Sequence, residues 1–263
     1  MIVVKDLRKT FKVSRLQKRE FRASPGGSRD GNIDAVAGVS FKCQPGRIFS
    51  LLGPNGAGKT TALRMIATLL RPTSGSIEVA GIDAVKNPQE VRRRLGFLTG
   101  TTKLYDRLTP KELVKYYAEL HGMDRAVFEK RREELFTTLD MHEFAKKRIG
   151  KLSTGMRQKV SIVRTMIHDP EVLVFDEPTV GLDVITSKNI IELIRGCKER
   201  GKTVIFSTHI MGEVSLLSDD MAIIHKGRLV FNGTHAEFVK GMQRDSIEEE
   251  FIRLLEGTPI GTA

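Results

Sequence analysis

The 263-residue chain is 40% hydrophobic and 29% charged, the proportions of a globular protein, and none of its apolar runs approaches the roughly 18 residues that cross a bilayer. Its two cysteines, Cys43 and Cys197, lie far apart in sequence, which excludes a disulfide framework and a cysteine-based zinc site. The formal net charge of +11 suits an anionic partner such as lipid, nucleic acid or an acidic protein. A solvated basic loop is the simpler explanation, because residues 1–34 alone carry nine basic and four acidic residues.

In chain order, short apolar runs alternate with helical patterns, which predicts an α/β fold built on a mostly parallel sheet. The predicted strands are Ile2–Lys5, Ile48–Leu52, Leu95–Thr99, Val172–Phe175, Thr203–Ser207 and Met221–His225. A helix is predicted over Lys59–Leu70, and the polar, basic residues 12–34 are predicted to form a long exposed loop between two strands. Two apolar runs flank Lys226-Gly227, which indicates a hairpin and an antiparallel portion beside the parallel core.

The region of about residues 99–168 is predicted to be mostly helical. Thr109-Pro110-Lys111-Glu112 supplies a capping residue, a proline at the first helical position and a glutamate at the third. A second helix is predicted to begin after Ser153 and to end at Asp169-Pro170, with one apolar face formed by Met156, Val160, Val163 and Ile167. Near the C-terminus, one helical face is formed by Ile247, Phe251 and Leu254, so this end should pack as a helix.

The first chemical motif, Gly53-Pro54-Asn55-Gly56-Ala57-Gly58-Lys59-Thr60-Thr61, follows a predicted strand and opens a predicted helix. It fits the pattern Gly-x4-Gly-Lys-Ser/Thr, in which backbone N–H groups wrap a phosphate and the helix N-terminus adds partial positive charge. Lys59 supplies a full charge to the outer phosphates, and the Thr60 hydroxyl is a ligand for Mg²⁺. The alternative, a tight glycine turn with an exposed lysine, is disfavoured because the downstream partners occur where this chemistry needs them.

Further polar residues follow two other predicted strands. Asp176 and Glu177 come directly after Val172–Phe175, at the strand end where ligands bind in open α/β sheets. Asp176 is predicted to hold Mg²⁺ through water, and Glu177 to polarise the attacking water. His209 follows the next strand and is placed to contact a γ-phosphate. Taken alone, the two acids could simply cap a loop, and the histidine could be a packed or surface residue.

Three more motifs resemble those of the ATP-binding cassette (ABC) ATPases. Leu152-Ser153-Thr154-Gly155-Met156-Arg157-Gln158 resembles the family's signature motif, Gly181-Leu182-Asp183 its D-loop, and Thr208-His209 its switch histidine. The similarity spans residue 2 to about residue 240, and this order of motifs is highly specific. It implies a nucleotide-binding domain over residues 1–240, with a helical subdomain of about 99–168, and a C-terminal helical extension over 241–263.

The resemblance also implies a mechanism in which two cassettes pair head to tail and sandwich two ATP molecules. The signature residues Ser153, Thr154, Gly155 and Met156 would then act in trans on the ATP of the other subunit, with Asp183 in the D-loop. This suits the sequence, because Ser153 caps a helix with free N–H groups and no phosphate loop of its own. An ordinary helix cap is the alternative.

The chain departs from the family pattern at two places. Gly100 stands where the family usually has a glutamine, so either activity is lowered or another group substitutes. Phe11 is the candidate for stacking on adenine, but the basic insertion of residues 12–34 follows it directly, and burial of Phe11 in the core is an open alternative. The insertion is expected at the rim of the nucleotide site, where it touches nucleotide or an acidic membrane-side surface or has no role at all.

The leading functional hypothesis is the ATPase subunit of an exporter, with ATP and Mg²⁺ as ligands and separate membrane-spanning subunits as partners. The signature and the closing segment Ser246–Leu255 resemble those of ATPases serving type-2 exporters, with the sodium-extrusion type the closest match. The expected location is cytoplasmic, peripheral on the cell membrane through the partner. The alternative is a soluble ABC protein acting on ribosomes or nucleic acid, which usually has two cassettes or a long coiled coil, so no nucleic acid is expected here.

Overall fold

A computed structural model describes residues 1–12, 32–99 and 103–257. The strands are β1 (Ile2–Lys12), β2 (Asn32–Cys43), β3 (Ile48–Leu52), β4 (Ser74–Val79), β5 (Ile82–Asp83), β6 (Leu95–Thr99), β7 (Val172–Asp176), β8 (Thr203–Thr208), β9 (Asp220–His225) and β10 (Arg228–Thr234). The helices are α1 (Lys59–Ile66), α2 (Pro88–Arg94), α3 (Pro110–Leu120), α4 (Arg125–Thr138), α5 (Thr154–Met166), α6 (Val184–Glu199), α7 (Met211–Leu217), α8 (His235–Gly241) and α9 (Ile247–Glu256), with 3₁₀ turns at His142–Phe144 and Ile149–Lys151.

The strands of the described residues form two sheets. The larger has the order β10-β9-β3-β8-β7-β6, in which every neighbouring pair is parallel except β9 with β10. The smaller, β2-β1-β4-β5, is antiparallel throughout. The predicted α/β fold with a mostly parallel sheet and an antiparallel portion is therefore confirmed.

The central strands β3, β7 and β8 are buried along their whole length, because both faces of the larger sheet are covered. Leu173 and Phe175 point into a core shared with helices α3 to α6. Val172 and Val174 point the other way, into a core shared with α1 and the antiparallel sheet. An uninterrupted apolar run is therefore the pattern that such a strand requires.

The register of the parallel strands brings their carboxyl ends together. Leu52 at the end of β3 pairs with Thr208 on β8, and Asp176 at the end of β7 pairs with Ser207. The segments that follow β3, β7 and β8 therefore emerge at one edge of the sheet, where the site lies.

The first helix is shorter than the sequence indicated. A helix over Lys59–Leu70 was expected, but α1 ends at Ile66. Thr68 adopts the left-handed conformation at φ +60°, and its N–H bonds to the Met65 carbonyl while the N–H of Leu69 returns to Arg64. This is a Schellman-type ending with threonine in the position usually taken by glycine, so the sequence carries no stop signal.

The predicted loop of residues 12–34 is also shorter than expected. β1 runs to Lys12 and β2 begins at Asn32, and these two residues pair with each other. The ends of the segment are therefore strand, because the β1–β2 hairpin extends well past Lys5, where the first strand was predicted to end. Residues 13–31 lie outside the described part of the chain.

The two helix starts that the sequence marks most clearly are confirmed. Thr109 and Glu112 form a complete capping box at the start of α3. Ser153 caps α5 and accepts a hydrogen bond from the Met156 N–H at 3.3 Å. The hairpin at Lys226-Gly227 is confirmed too, since both residues have positive φ and His225 pairs with Arg228.

The C-terminal segment packs as a helix, as the pattern predicts. Phe251 and Leu254 of α9 are buried in a cluster with Leu52 of β3 and Phe238 of α8, and Ile247 packs against it. Within the described residues, no helix combines the length and apolar character that a bilayer crossing requires.

Candidate active site

The loop between β3 and α1 has its shape because glycine occupies three positions where a side chain would clash or strain the backbone. A Cβ on Gly58 would lie 2.3 Å from the Ala35 carbonyl oxygen, and one on Gly53 would lie 2.4 Å from that of Ile224. Gly58 also has φ +110°, which side chains disfavour, as does Gly56 at φ +78°. The loop encloses a pocket of about 150 Å³, lined by Ala35, residues 54–61 and Glu177.

Lys59 is the buried cation of this pocket, with 4% of its side chain exposed. Its Nζ donates to the carbonyl oxygens of Gly53 at 2.6 Å and Pro54 at 3.2 Å. The same nitrogen lies 3.3 Å from Oε1 of Glu177. The lysine thus wraps back over its own loop, and its charge is held where an anion in the pocket would meet it.

Asp176 joins the loop to the neighbouring strands. Its Oδ1 accepts hydrogen bonds from the Thr60 hydroxyl at 3.0 Å and the Ser207 hydroxyl at 2.7 Å. The carboxylate is buried. Hydroxyl and carboxylate oxygens are hard ligands of the kind that Mg²⁺ prefers, and Mg²⁺ usually takes only one or two carboxylates, with phosphates and water completing its shell. The donor set of Thr60 and Asp176 therefore fits Mg²⁺.

Glu177 is held in a backbone conformation that is uncommon for its type. Its φ is +50°, and its N–H bonds to the Ser207 carbonyl at 3.2 Å and the Ser207 hydroxyl at 3.1 Å. Such conformations persist where the surroundings enforce them, and they cluster at functional sites. The Glu177 carboxylate lies between the Lys59 ammonium and the His209 imidazole.

His209 faces Glu177 through its Nδ1, which lies 3.3 Å from Oε1. A carboxylate only accepts hydrogen bonds, so the proton on Nδ1 points to Glu177 and the Nε2 atom remains for a second partner. The imidazole is about one-third exposed, which leaves it accessible to such a partner.

The signature residues lie together with Asp183, away from the pocket lining. Asp183 caps α6 by accepting from the N–H of Thr186 at 2.9 Å and from its hydroxyl at 2.8 Å, and these hydrogen bonds lower the pKa of the Asp183 carboxyl. A Cβ on Gly155 would lie 3.5 Å from the Thr186 hydroxyl. The N-terminus of α5, which carries Ser153, Thr154, Gly155 and Met156, thus approaches the start of α6 at Gly155.

Phe11 lies on β1, opposite Ile33 of β2, and 41% of the residue is exposed. The Lys9 ammonium lies 5.2 Å from the centre of its ring. The alternative that Phe11 is a core residue is therefore wrong, and its ring is available for stacking. Gly100, the other departure from the family pattern, lies outside the described residues.

Sequence reasoning missed two members of the site. Ser207 links Asp176 to the backbone of Glu177, and Ala35 lines the pocket beside Gly58. Ser207 lies in an otherwise apolar strand. The only sign of its role is that it pairs with Asp176, and this pairing can be known only once the strand order is known. Ala35 belongs to β2, a strand that was not predicted, so no pattern pointed to it.

Comparison with known proteins gives a consistent result. A family model described as "ABC transporter" matches residues 36–180. The "ABC transporter ATP-binding protein NatA" of Bacillus subtilis is 43% identical over 85% of this chain and 91% of its own length. The "Linearmycin resistance ATP-binding protein LnrL" of the same organism is 35% identical over 82% of this chain and 70% of its own length.

Solved structures agree with these relatives. An ATP-binding subunit of an ABC transporter superposes with a TM-score of 0.81 at 28% identity and covers 97% of this chain and 99% of its own. A dimeric ATP-binding cassette, MJ0796, in a post-hydrolysis state bound to ADP and Pi gives a TM-score of 0.77 at 25% identity and covers 89% of this chain and 98% of its own.

Proposed function

The chain belongs to the ABC transporter family, and from that premise we propose that it is the ATP-hydrolysing subunit of an exporter. The observation that carries the proposal is the meeting of Lys59, Asp176, Glu177 and His209 at one edge of the parallel sheet. A buried cation in a glycine loop, a hard-oxygen donor set and a carboxylate beside an imidazole are the parts that phosphoryl transfer to water requires.

In this mechanism the residues divide the work. The backbone N–H groups of residues 53–61 and the Lys59 ammonium bind the phosphates of ATP. Thr60 and Asp176 would hold Mg²⁺, which would supply positive charge beside the outer phosphates. Glu177 orients the attacking water and polarises it as a general base. His209 contacts the γ-phosphate through its Nε2.

Two contributions to the proposed site come from elsewhere. We place the exposed ring of Phe11 against adenine, since it lies on β1 opposite Ile33, two residues before the pocket-lining Ala35 on β2. The N-terminus of α5, beginning at Ser153, serves the ATP of a second copy, with Asp183 at the junction of the two chains. The dimeric cassette among the structural relatives supports a dimer, and a head-to-tail pairing would suit this chain because neither Ser153 nor Gly155 lines its own pocket.

The transport role rests on the relatives. NatA, LnrL and the bacitracin transport protein BcrA are each named as the ATP-binding component of a transport or resistance system. By this likeness the chain works with separate membrane-spanning subunits and is held at the cytoplasmic face of the membrane by them. Sodium is the proposed exported ion because the signature motif and the closing segment Ser246–Leu255 resemble those of sodium-extrusion ATPases. No comparison favours a ribosomal or nucleic-acid role.

The test is ATP-driven transport by the purified assembly. The chain should copurify with a membrane protein, and vesicles that carry both, with the ATPase subunit facing outward, should accumulate sodium on addition of ATP and Mg²⁺ but not of a non-hydrolysable ATP analogue. The same vesicles in a potassium medium are the matched control for ion identity. Absence of Mg²⁺-dependent hydrolysis from the assembly would refute the enzymatic role, and hydrolysis without sodium uptake would refute only the choice of ion.

A further inference from the structure

A second carboxylate lies behind the catalytic pair and is unused by the mechanism above. Glu213, in the first turn of α7, is buried, with 7% of its surface exposed. Its partners in the described part of the chain are two threonine hydroxyls, Thr179 on one oxygen and Thr208 on the other. Burying a carboxylate costs free energy because the group loses its hydration, so Glu213 is expected to have a function that offsets this cost.

The two threonines belong to the two catalytic segments. Thr179 lies two residues after Glu177 and is buried. Thr208 is the residue directly before His209. Glu213 therefore ties the loop that carries the water-activating carboxylate to the loop that carries the switch histidine.

The direction of the hydrogen bonds makes this tie specific. The Thr208 hydroxyl oxygen accepts from the Ile210 N–H at 3.0 Å, so its proton is free to go to Glu213 Oε2, 2.6 Å away. The backbone on both sides of His209 is thus fixed through one hydroxyl that Glu213 orients. On the other side, Thr179 donates to Oε1, and its own carbonyl accepts from the Leu182 N–H at 3.2 Å.

We propose that Glu213 is a positioning residue for hydrolysis, which sets the distance between Glu177 and His209 through Thr179 and Thr208. The inference rests on the proposed ATPase function. A carboxylate is suited to this role because both of its oxygens only accept, so two hydroxyl donors from separate segments are satisfied at once. Among the described residues, Glu213 does not line the pocket and its side chain bonds only to Thr179 and Thr208, so its loss should change turnover rather than ATP affinity.

The experiment compares Glu213→Ala with Glu192→Ala. Glu192 is an exposed helical glutamate whose only described ion pair is with Lys188 at 3.9 Å, so its variant controls for loss of a charge. We expect Glu213→Ala to lower kcat by about 10- to 100-fold, the scale on which small misplacements of catalytic groups act. The dissociation constant of ATP should stay within about twofold of the parent value.

A split between kcat and ATP affinity is the outcome that a purely structural role would not give. Equal losses of ATP binding and turnover would overturn the proposal, as would parent-level turnover in Glu213→Ala. Failure of the proposed ATPase function is distinguished by the parent chain, which would then hydrolyse no ATP whatever the variants do.

Thr208→Val and Thr208→Ser keep the test decisive if Glu213→Ala does not fold. Valine keeps the shape of threonine and removes the hydroxyl, whereas serine keeps the hydroxyl. Valine should lower kcat with ATP affinity kept, and serine should restore turnover. Equal turnover of the two variants would overturn the proposal. In a double-mutant cycle, Thr208→Val should add little to Glu213→Ala, because the two changes remove the same hydrogen bond.

Discussion

The stacked histidines between α3 and α5 make the stability of the protein depend on pH. The His168 ring lies on the His121 ring with 3.8 Å between centres and 11° between planes. Burial, reinforced by the charge of His121, lowers the pKa of His168 from 6.5 to about 4. The folded chain therefore binds fewer protons at this site than the unfolded chain over that range of pH, so acid favours unfolding.

The size of the effect follows from the pKa difference. A pKa lowered from 6.5 to about 4 corresponds to about 3 kcal/mol of unfolding free energy once the pH has fallen below the folded pKa. Roughly 2 kcal/mol of this is lost between pH 7 and pH 5, and the contribution vanishes above pH 7. His168→Phe keeps an aromatic ring on His121 and removes the titrating group, so its unfolding free energy should fall less on acidification.

The assay is urea unfolding of the parent, His168→Phe and His142→Gln at several pH values and constant ionic strength. The exposed His142 serves as control and should leave the parental slope in place. Between pH 7 and pH 5, the unfolding free energy of the parent should fall by roughly 2 kcal/mol more than that of His168→Phe. Parallel loss of stability in those two proteins would refute the reasoning.

Three further predictions concern the active site. Glu177→Gln should lower ATP hydrolysis by at least about 100-fold while ATP binding survives, measured as phosphate release and nucleotide titration; parent-rate hydrolysis would contradict its role. Lys59→Ala should weaken ATP binding by roughly 10- to 100-fold, since it removes the buried charge that faces the phosphates; unchanged affinity in a folded variant would argue against it. Gly58→Ala should cost about 2 kcal/mol or more of unfolding free energy, because of its φ and the 2.3 Å approach to Ala35. Gly46→Ala, with positive φ but open space around it, is the urea-unfolding control; equal losses would contradict the clash.

Much of the site was predictable because the strands that precede its residues are uninterrupted apolar runs. Glu177 and His209 follow apolar runs that only a strand buried on both faces explains, so their meeting at one edge follows from parallel pairing. The hairpin of β9 and β10 was predicted, but the separate four-stranded antiparallel sheet was not, although β2 shows an alternation in Val39, Phe41 and Cys43. In the same sheet, β4 begins Ser-Gly-Ser and has little strand character, so its strand conformation depends on pairing with β1.

Other features depend on tertiary contacts that no local pattern reports. The left-handed Thr68 ends α1 without a glycine, and the sequence cannot distinguish it from a threonine inside a helix. Glu213 lies 34 residues from Thr179, so their hydrogen bond exists only once β7 and β8 are neighbours. Roles of this kind come from strand order rather than from motifs.

The last helix has a bearing on where the chain could be shortened. The cluster that buries Phe251 and Leu254 of α9 also contains Leu52, which directly precedes the phosphate-binding loop, and Val214, the neighbour of Glu213 on α7. Removing α9 would expose these two residues to water at the root of the loop and beneath the helix that orients the catalytic segments. The C-terminal helix α9, which could be mistaken for a removable extension, thus supports the phosphate-binding loop and α7 from below. Its removal should lower turnover as well as solubility.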